Sequence, residues 1–172
     1  MQRAQFGPWE IEYDREATRA AYARMETWDC ECQGCRNYVA NTSCFPEEVQ
    51  QFFDTLGVDP TSPSKLDAAI ATGGAFWYDG SYHIVGRYVS GHDWNCTVPM
   101  TPEEIEKVPF RSENENTQYF RPLRIPYNFT EDFSVGFTQE LLFVPKEIPE
   151  AQALQLEFSF TLPWLLDEPY EE

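Results

Sequence analysis

The chain has 172 residues, 42% of them hydrophobic and 16% aromatic, which suits one domain with a substantial core and excludes a disordered protein. With 12 basic and 29 acidic residues its formal net charge is −17, so its surface should repel phosphate backbones, and nucleic acid is not expected as a ligand. Such a charge suits a basic protein partner or cations, or it only keeps the protein soluble.

The first third of the chain predicts one strand followed by helices. WEIEYD alternates apolar and polar residues, which indicates a short strand, and Asp14 can cap the helix REATRAAYARM that follows. CRNYVAN is expected to form a short helix after a cysteine-rich loop. In FPEEVQQFFDTLG, Pro46 suits the first turn and Gly57 the end of a helix. Helical spacing gives that helix a buried face of Val49, Phe52, Phe53 and Leu56.

The middle of the chain indicates a further helix and then a hairpin. VDPTSPSKLDAAIAT could be capped by Ser62 and could turn Leu66 and Ile70 toward the core. In AFWYDGSYHIVGRYV, an Asp-Gly pair stands between two aromatic runs, the typical signal of a two-residue β-turn. We therefore expect Asp79 and Gly80 to form that turn, with Gly80 at positive φ.

The rest of the chain predicts mainly antiparallel strands. Residues 91–132 are expected to be a long ordered loop with one strand near QYFRPLRI. FSVGFTQELLFV and LQLEFSFTL then alternate and predict two neighbouring strands, whose inward residues are Phe133, Val135, Phe137, Leu141 and Phe143, and Leu154, Leu156, Phe158, Phe160 and Leu162. The predicted fold is α+β, with N-terminal helices packed on one face of a largely antiparallel sheet. Residues 1–172 form a single predicted domain, in which 167–172 are a flexible acidic tail.

Five stretches, spread over most of the chain, resemble a family of uncharacterised bacterial proteins. They are YDREATRAAYA, CQGCRNY, FFDTLGVDP, YDGSYHIVG and LPWLLDEP. Each motif is weak alone, and the ordered set is more specific. The resemblance implies a bacterial or phage-related source and a single domain, and it transfers no activity, cofactor or catalytic residue.

The cysteines form the most conspicuous cluster, because three of the five lie within CECQGCRNY. Two cysteines separated by two residues, with a glycine between them, are typical of half a tetrahedral zinc site. The predicted metal ligands are Cys30, Cys32, Cys35 and Cys44, with zinc as the possible cofactor. Two alternatives stay open: Cys35 and Cys44 are buried apolar residues while Cys30 and Cys32 lie in a loop, or Cys32 and Cys35 are a redox pair. In either case Cys32 and Cys35 should lie close together.

The two histidines give weaker signals. We expect His83 to be a ring held by a hydrogen bond within a sheet, rather than a metal ligand or a base. GHDWNC brings His92, Asp93 and Cys96 together in sequence, which suggests a cysteine–histidine nucleophile on proximity alone. The chain contains neither a Gly-rich phosphate loop nor a Walker lysine, so no catalytic residue is assigned.

These observations favour a non-catalytic, immunity-like or inhibitor-like binding protein, whose acidic surface contacts a basic protein partner. The alternative is a zinc-binding protein that uses the Cys30–Cys44 cluster, in a structural or a catalytic role. The start MQRAQFGPWEIEYD lacks the apolar run of a signal peptide, and no stretch approaches the about 20 apolar residues of a membrane span. We therefore expect a cytoplasmic protein with reduced thiols and no membrane partner.

Overall fold

The computed structural model describes residues 1–26, 28–110, 112, 114, 117–123 and 126–170. Its fold is α+β with a large antiparallel sheet, as the sequence predicts. In chain order the elements are β1 (Gln2–Phe6), β2 (Trp9–Tyr13), α1 (Arg15–Tyr22), α2 (Gln33–Thr42), α3 (Glu47–Leu56), β3 (Lys65–Ile70), β4 (Phe76–Ser90), β5 (Thr97–Pro99), α4 (Pro102–Glu106), β6 (Phe120–Pro122), β7 (Tyr127–Thr130), β8 (Phe133–Thr138) and β9 (Ala153–Leu162).

The main sheet is organised around the long strand β4. Its strand order is β1-β2-β4-β9-β8-β7, and β3 also pairs with β4. All these pairings are antiparallel. Strand β9 pairs with β4 from Phe76 to Val85, while β3 and β2 pair with its first and last parts. Strands β5 and β6 form a separate two-stranded sheet.

Helix α1 fills the gap that β2 and β3 leave along β4. The Tyr22 hydroxyl donates to the His83 carbonyl over 3.1 Å and accepts from the His83 N–H over 3.3 Å. Two residues further along, the Val85 N–H donates to the Thr18 hydroxyl over 2.9 Å, and the Asp14 N–H donates to the Val85 carbonyl over 2.8 Å. Side chains of the helix thus replace a missing neighbouring strand, so the buried backbone groups of β4 stay paired.

The core lies between the inner face of the sheet and the helices α2 and α3. Alternate residues of β9 face inward, and Leu154, Leu156, Phe158, Phe160 and Leu162 are all buried, as predicted. Helix α2 places Tyr38 against Phe158 at a ring distance of 5.5 Å, and α3 places Phe53 against Phe160 at 6.4 Å. Each such side chain contributes about 1.5–3 kcal/mol by leaving water. The predicted inward face of α3 is buried in full.

Several predicted N-terminal features are confirmed. Strand β2 buries alternate residues, and Asp14 caps α1 by accepting from the Ala17 N–H over 3.0 Å. Helix α3 ends at Gly57, which adopts φ 76°, the left-handed conformation favoured by glycine. The preceding strand β1 was not predicted; it joins β2 through a two-residue turn at Gly7 and Pro8.

The predicted hairpin at Asp79 and Gly80 is wrong. Both residues lie inside the 15-residue strand β4, and Gly80 is not among the glycines with positive φ. A β-carbon on Gly80 would lie 2.6 Å from the Phe158 ring and closer still to the Lys65 carbonyl oxygen. Glycine is needed here because a ring and a neighbouring backbone approach closely, and not because the chain turns.

The predicted helix over VDPTSPSKLDAAIAT is also wrong, because residues 65–70 form β3 and Ile70 is exposed. Ser62 caps no helix; its N–H donates to the Asp59 carbonyl in a tight turn. Backbone pairing with β4 over six residues replaces the hydrogen bonds that a helix would have made. Local helical signals were overridden by a long-range sheet.

Strand β8 is shorter than predicted. Phe133, Val135 and Phe137 are buried, but β8 ends at Thr138, and Phe143 is exposed beyond it. The chain leaves the sheet here because the Asp93 carboxylate accepts from the Thr138 hydroxyl and from the Gln139 N–H. Leu141 therefore lies outside the strand as well.

Residues 91–132 contain more regular structure than the one predicted strand. Strands β5, β6 and β7 and the short helix α4 lie within this range. Thr101 and Glu104 form a capping box at the start of α4, and this pattern fixes a helix of five residues. Residues 124 and 125, at the end of QYFRPLRI, lie outside the described residues.

The segment after β9 lies against α2. The buried Asn37 donates to the Pro163 carbonyl over 3.1 Å and accepts from the Leu165 N–H over 2.7 Å. Of the predicted acidic tail, Glu168 forms an ion pair with Arg36, and residues 171–172 lie outside the described residues. None of the helices in the described ranges has the length and apolar character needed to cross a bilayer.

Candidate metal centre

Three cysteines converge where the loop after α1 enters α2. The sulfurs of Cys30, Cys32 and Cys35 all lie within 4.8 Å of one another, and those of Cys30 and Cys32 are 3.3 Å apart. Four thiolates around zinc, each about 2.3 Å from the ion, would stand about 4 Å apart. The three side chains are therefore close enough to hold a metal ion. All five cysteines of the chain are free thiols in the structure.

The sequence brings Cys32 and Cys35 together through the first turn of a helix. Cys32 is the N-cap residue of α2, and its sulfur accepts from the Cys35 N–H over 3.4 Å. A residue at the N-cap and one three positions later face each other because the first turn closes on itself. The predicted proximity of these two cysteines is confirmed, and Gly34 between them packs against Ala68 of β3.

The two ends of the Cys-x-x-Cys pair differ in acidity. Burial opposes ionisation of Cys32, but hydrogen bonds from the Cys35 N–H and from Cys30 lower its pKa below the usual value for a thiol. Burial raises the pKa of Cys35, and its hydrogen bonds with Cys30 and Cys32 raise it further. Cys32 is exposed whereas Cys35 is buried, so Cys32 is the thiol that ionises first and meets solvent.

Cys44 does not belong to this cluster, which corrects the predicted set of four ligands. It lies beyond the C-terminal end of α2, whereas Cys32 stands at its N-terminus. A helix of ten residues is about 15 Å long, so one helix cannot bring both ends to one ion. Cys44 is exposed, and its sulfur lies 3.8 Å from the Ser43 hydroxyl. The alternative that Cys44 is a buried apolar residue is also wrong.

An aromatic donor next to the cluster was missed by the sequence analysis. The indole nitrogen of Trp28 is buried and has no hydrogen-bond partner at ordinary distance. The indole lies beside Cys35, where its N–H acts to lower the pKa of that thiol against the larger effect of burial. Buried donors without an acceptor are rare in native proteins. The available signal was a tryptophan two residues before the first cysteine.

The loop is fixed by Arg36 on its other side. The Arg36 guanidinium donates to the Glu31 carbonyl over 3.1 Å and forms an ion pair with Glu168. The cysteine loop, through Glu31, and the C-terminal segment, through Glu168, are therefore both attached to α2.

The histidines lie apart from the cysteine cluster. His83 is fully buried in β4 and is hydrogen-bonded through both ring nitrogens, to Ser64 over 2.8 Å and to Gln155 over 3.1 Å, which confirms the expectation for a ring held in a sheet. Around His92, the Asp93 carboxylate is occupied by Thr138, Gln139 and the Asn95 N–H. The Cys96 sulfur contacts the Thr97 carbonyl at 3.8 Å. This geometry does not assemble the suggested cysteine–histidine nucleophile.

Comparison of the chain with protein-family models, with curated proteins and with solved structures found no match. The resemblance to uncharacterised bacterial proteins therefore stays a prediction.

Proposed function

We propose that the protein binds Zn²⁺ through Cys30, Cys32 and Cys35. The observation that carries the proposal is the convergence of these three sulfurs within 4.8 Å at the start of α2. A helix N-terminus favours negative charge, and this lowers the cost of ionising thiols that serve as ligands. Soft thiolate ligands select zinc or Cu(I) over hard cations such as Mg²⁺.

The Trp28 indole supports the same proposal. A thiolate held by a metal ion accepts hydrogen bonds from neighbouring donors, and such outer contacts orient the ligands. Metal binding would convert Cys35 from a buried thiol to a thiolate, which gives the buried indole N–H beside it a stronger acceptor. Three protein ligands leave one coordination position of a tetrahedral ion for water or another small ligand, where zinc would act as a Lewis acid.

Metal analysis of protein purified without a histidine tag tests the proposal. We expect about one equivalent of zinc, lost from Cys30→Ser, Cys32→Ser and Cys35→Ser and retained in the matched control Cys44→Ser. Less than about a tenth of an equivalent after loading with zinc, together with five titratable thiols, would reject the site. A disulfide between Cys32 and Cys35 in freshly purified protein would instead favour the redox alternative.

A second function, carried by the surface charge, is that the protein binds a basic protein partner. In the part of the chain that the structure describes, eight basic residues form ion pairs with carboxylates, and the charge of −17 comes from an excess of acidic groups that these pairs do not balance. Like-signed surface charge accelerates association with an oppositely charged partner. Affinity for cationic proteins should fall steeply with ionic strength, and binding that ignores salt would contradict this function.

A further inference from the structure

A buried polar chain connects a serine to a glutamine through His83. The Ser64 hydroxyl lies 2.8 Å from His83 Nδ1, and His83 Nε2 lies 3.1 Å from Gln155 Oε1. His83 and Gln155 are buried on neighbouring strands, so the sheet holds the imidazole ring and the side-chain amide in place. Neither residue contacts the proposed metal ligands in the described hydrogen-bond network, and the proposed functions leave this group unused.

The hydrogen bonds determine which nitrogen of His83 carries the proton. Gln155 Oε1 accepts from the Leu142 N–H over 2.7 Å, and the Gln155 amide nitrogen donates to Glu157. The atom that faces His83 is therefore an acceptor, which requires a proton on Nε2. Nδ1 then carries a lone pair, and the Ser64 hydroxyl donates its proton toward it. A serine, a neutral base and a group that orients the base thus stand in sequence.

Ser64 opens onto a pocket of about 270 Å³. Its apolar lining includes Met25, Trp28, Phe143 and Pro145. Phe143 has φ 59°, and in the described chain no other residue besides glycines has a positive φ. Backbone strain of this kind, worth about 1–3 kcal/mol, clusters at ligand-binding and catalytic sites.

The pocket selects a small and uncharged substrate. Its volume lies just below the about 300–1,000 Å³ typical of ligand sites, so it admits a short acyl chain and not a large molecule. Lys146 lines the pocket, but its ammonium group pairs with Glu26 over 3.1 Å and with Glu147 over 3.9 Å. One ammonium group therefore faces two carboxylates, and the excess of negative charge at the rim disfavours an anionic substrate.

We infer that Ser64 is a nucleophile, with His83 as its general base, for acyl transfer from small uncharged esters. Ser64 Oγ attacks the ester carbonyl while its proton passes to His83 Nδ1. The bond to the alcohol then breaks, and the departing alkoxide takes that proton from His83. Water attacks the acyl-serine, again with His83 as base, and the carboxylic acid leaves. Gln155 is a positioning residue that fixes the tautomer of the ring.

A fluorophosphonate probe followed by intact mass and peptide mapping tests the inference, because this reagent modifies activated serines and not thiols. We expect one adduct, on Ser64, and none in Ser64→Ala. Ser43→Ala, which alters an exposed serine outside the pocket lining, is the control and should label at the rate of the natural protein. His83→Gln should slow labelling about 100-fold while leaving Ser64 in place, in the range of general-base contributions.

Hydrolysis of p-nitrophenyl butyrate by the same variants gives an independent readout. The natural protein should release an initial burst of one equivalent of nitrophenol, and Ser64→Ala should not.

Since His83→Gln could weaken folding, its thermal unfolding is recorded. Gln155→Glu gives a second variant, in which an acceptor for His83 Nε2 is retained. In Gln155→Glu, ¹⁵N shifts should still show a protonated Nε2, and labelling should continue. An absence of Ser64 labelling in the natural protein, or equal labelling in folded His83→Gln, overturns the inference.

Discussion

At the scale of single residues, burial decides the protonation state of His83. The ring has no exposed surface, and burial lowers its pKa from 6.5 to about 4, although the hydrogen bond with Gln155 acts in the other direction. The unfolded chain binds a proton at this residue below about pH 6.5, while the folded chain does so only near about pH 4. Between these values the unfolded state holds more protons, so stability is fully present above this window and falls as the pH falls.

We therefore expect protonation of His83 in the unfolded chain to lower the free energy of unfolding by about 3 kcal/mol between pH 7 and about pH 4. Urea unfolding at a series of pH values measures this slope. Carboxyl groups contribute to the pH dependence in the same range, so the comparison with His83→Gln isolates the contribution of the histidine. The slope in that window should be smaller in the variant, and an equal slope in both proteins would contradict the argument.

Gly80 is the second residue at which local geometry sets a strict requirement. It pairs with Leu66 on one side and with Phe158 on the other, and a β-carbon would approach the Phe158 ring to 2.6 Å. We expect Gly80→Ala to cost about 1–3 kcal/mol by overpacking, although alanine is otherwise compatible with a strand. Urea unfolding of Gly80→Ala, Phe158→Leu and the double variant measures the coupling. The smaller leucine side chain should offset part of the penalty, and strictly additive costs would show that the Phe158 ring is not the cause.

At the scale of elements, α1 acts as a substitute strand for the middle of β4. The Thr18 hydroxyl accepts from the Val85 N–H, and both Thr18 and the adjoining backbone are buried. Thr18→Val keeps the shape of the side chain but leaves this N–H without a partner, and we expect a loss of about 1–3 kcal/mol. Thr55→Val on the exposed face of α3 is the control and should change stability by less than about 0.5 kcal/mol.

Hydrogen exchange gives the local readout for the same variant. In the natural protein the Val85 amide should be among the slowly exchanging groups, because it lies at the centre of the sheet. Thr18→Val should lose protection at Val85 before it loses protection in β9. If Val85 exchanges as slowly as before, the contact with Thr18 does not hold this part of the strand.

Elements with strong local signals could be predicted from the sequence, and elements that depend on distant partners could not. Helix α3 carries helical spacing and a terminal glycine, and β9 alternates strictly, so both were predicted with the correct buried faces. Strand β3 lacks alternation and is mostly exposed, and its conformation comes from pairing with β4. The Asp-Gly pair in β4 is a turn signal that pairing with β3 on one side and β9 on the other overrides.

The candidate metal centre shows the same division. The closeness of Cys32 and Cys35 follows from two intervening residues, and could be predicted because a helix turn is a local structure. The exclusion of Cys44 depends on α2 continuing through all ten of its residues, and the predicted helix was too short to show this. The pairing of Ser64 with His83 joins residues of two segments that were assigned to the wrong structures, so no sequence pattern could have revealed it.

For the whole molecule, repulsion due to the net charge of −17 destabilises the fold, whereas the ion pairs stabilise it. Exposed pairs such as Arg3–Glu10 or Lys65–Asp67 are each worth about 0–1 kcal/mol and weaken when salt screens them. Repulsion among the excess carboxylates is spread over the surface, and it weakens as the screening length falls from about 30 Å at 0.01 M to about 8 Å at 0.15 M. The repulsion involves more charges than the pairs, so its relief should dominate.

We therefore expect sodium chloride to stabilise the protein, raising the Tm by about 2–8 °C when the salt concentration rises from low to physiological strength, as for a gain of about 1–2 kcal/mol. Calorimetry in the presence of a chelator measures this at constant metal occupancy. The same salt should weaken binding to a basic protein partner, because the carboxylates that destabilise the fold are those that attract the partner. A Tm that falls with salt would show that the loss of the ion pairs outweighs the relief of repulsion. The excess charge would then be too dispersed to attract a partner.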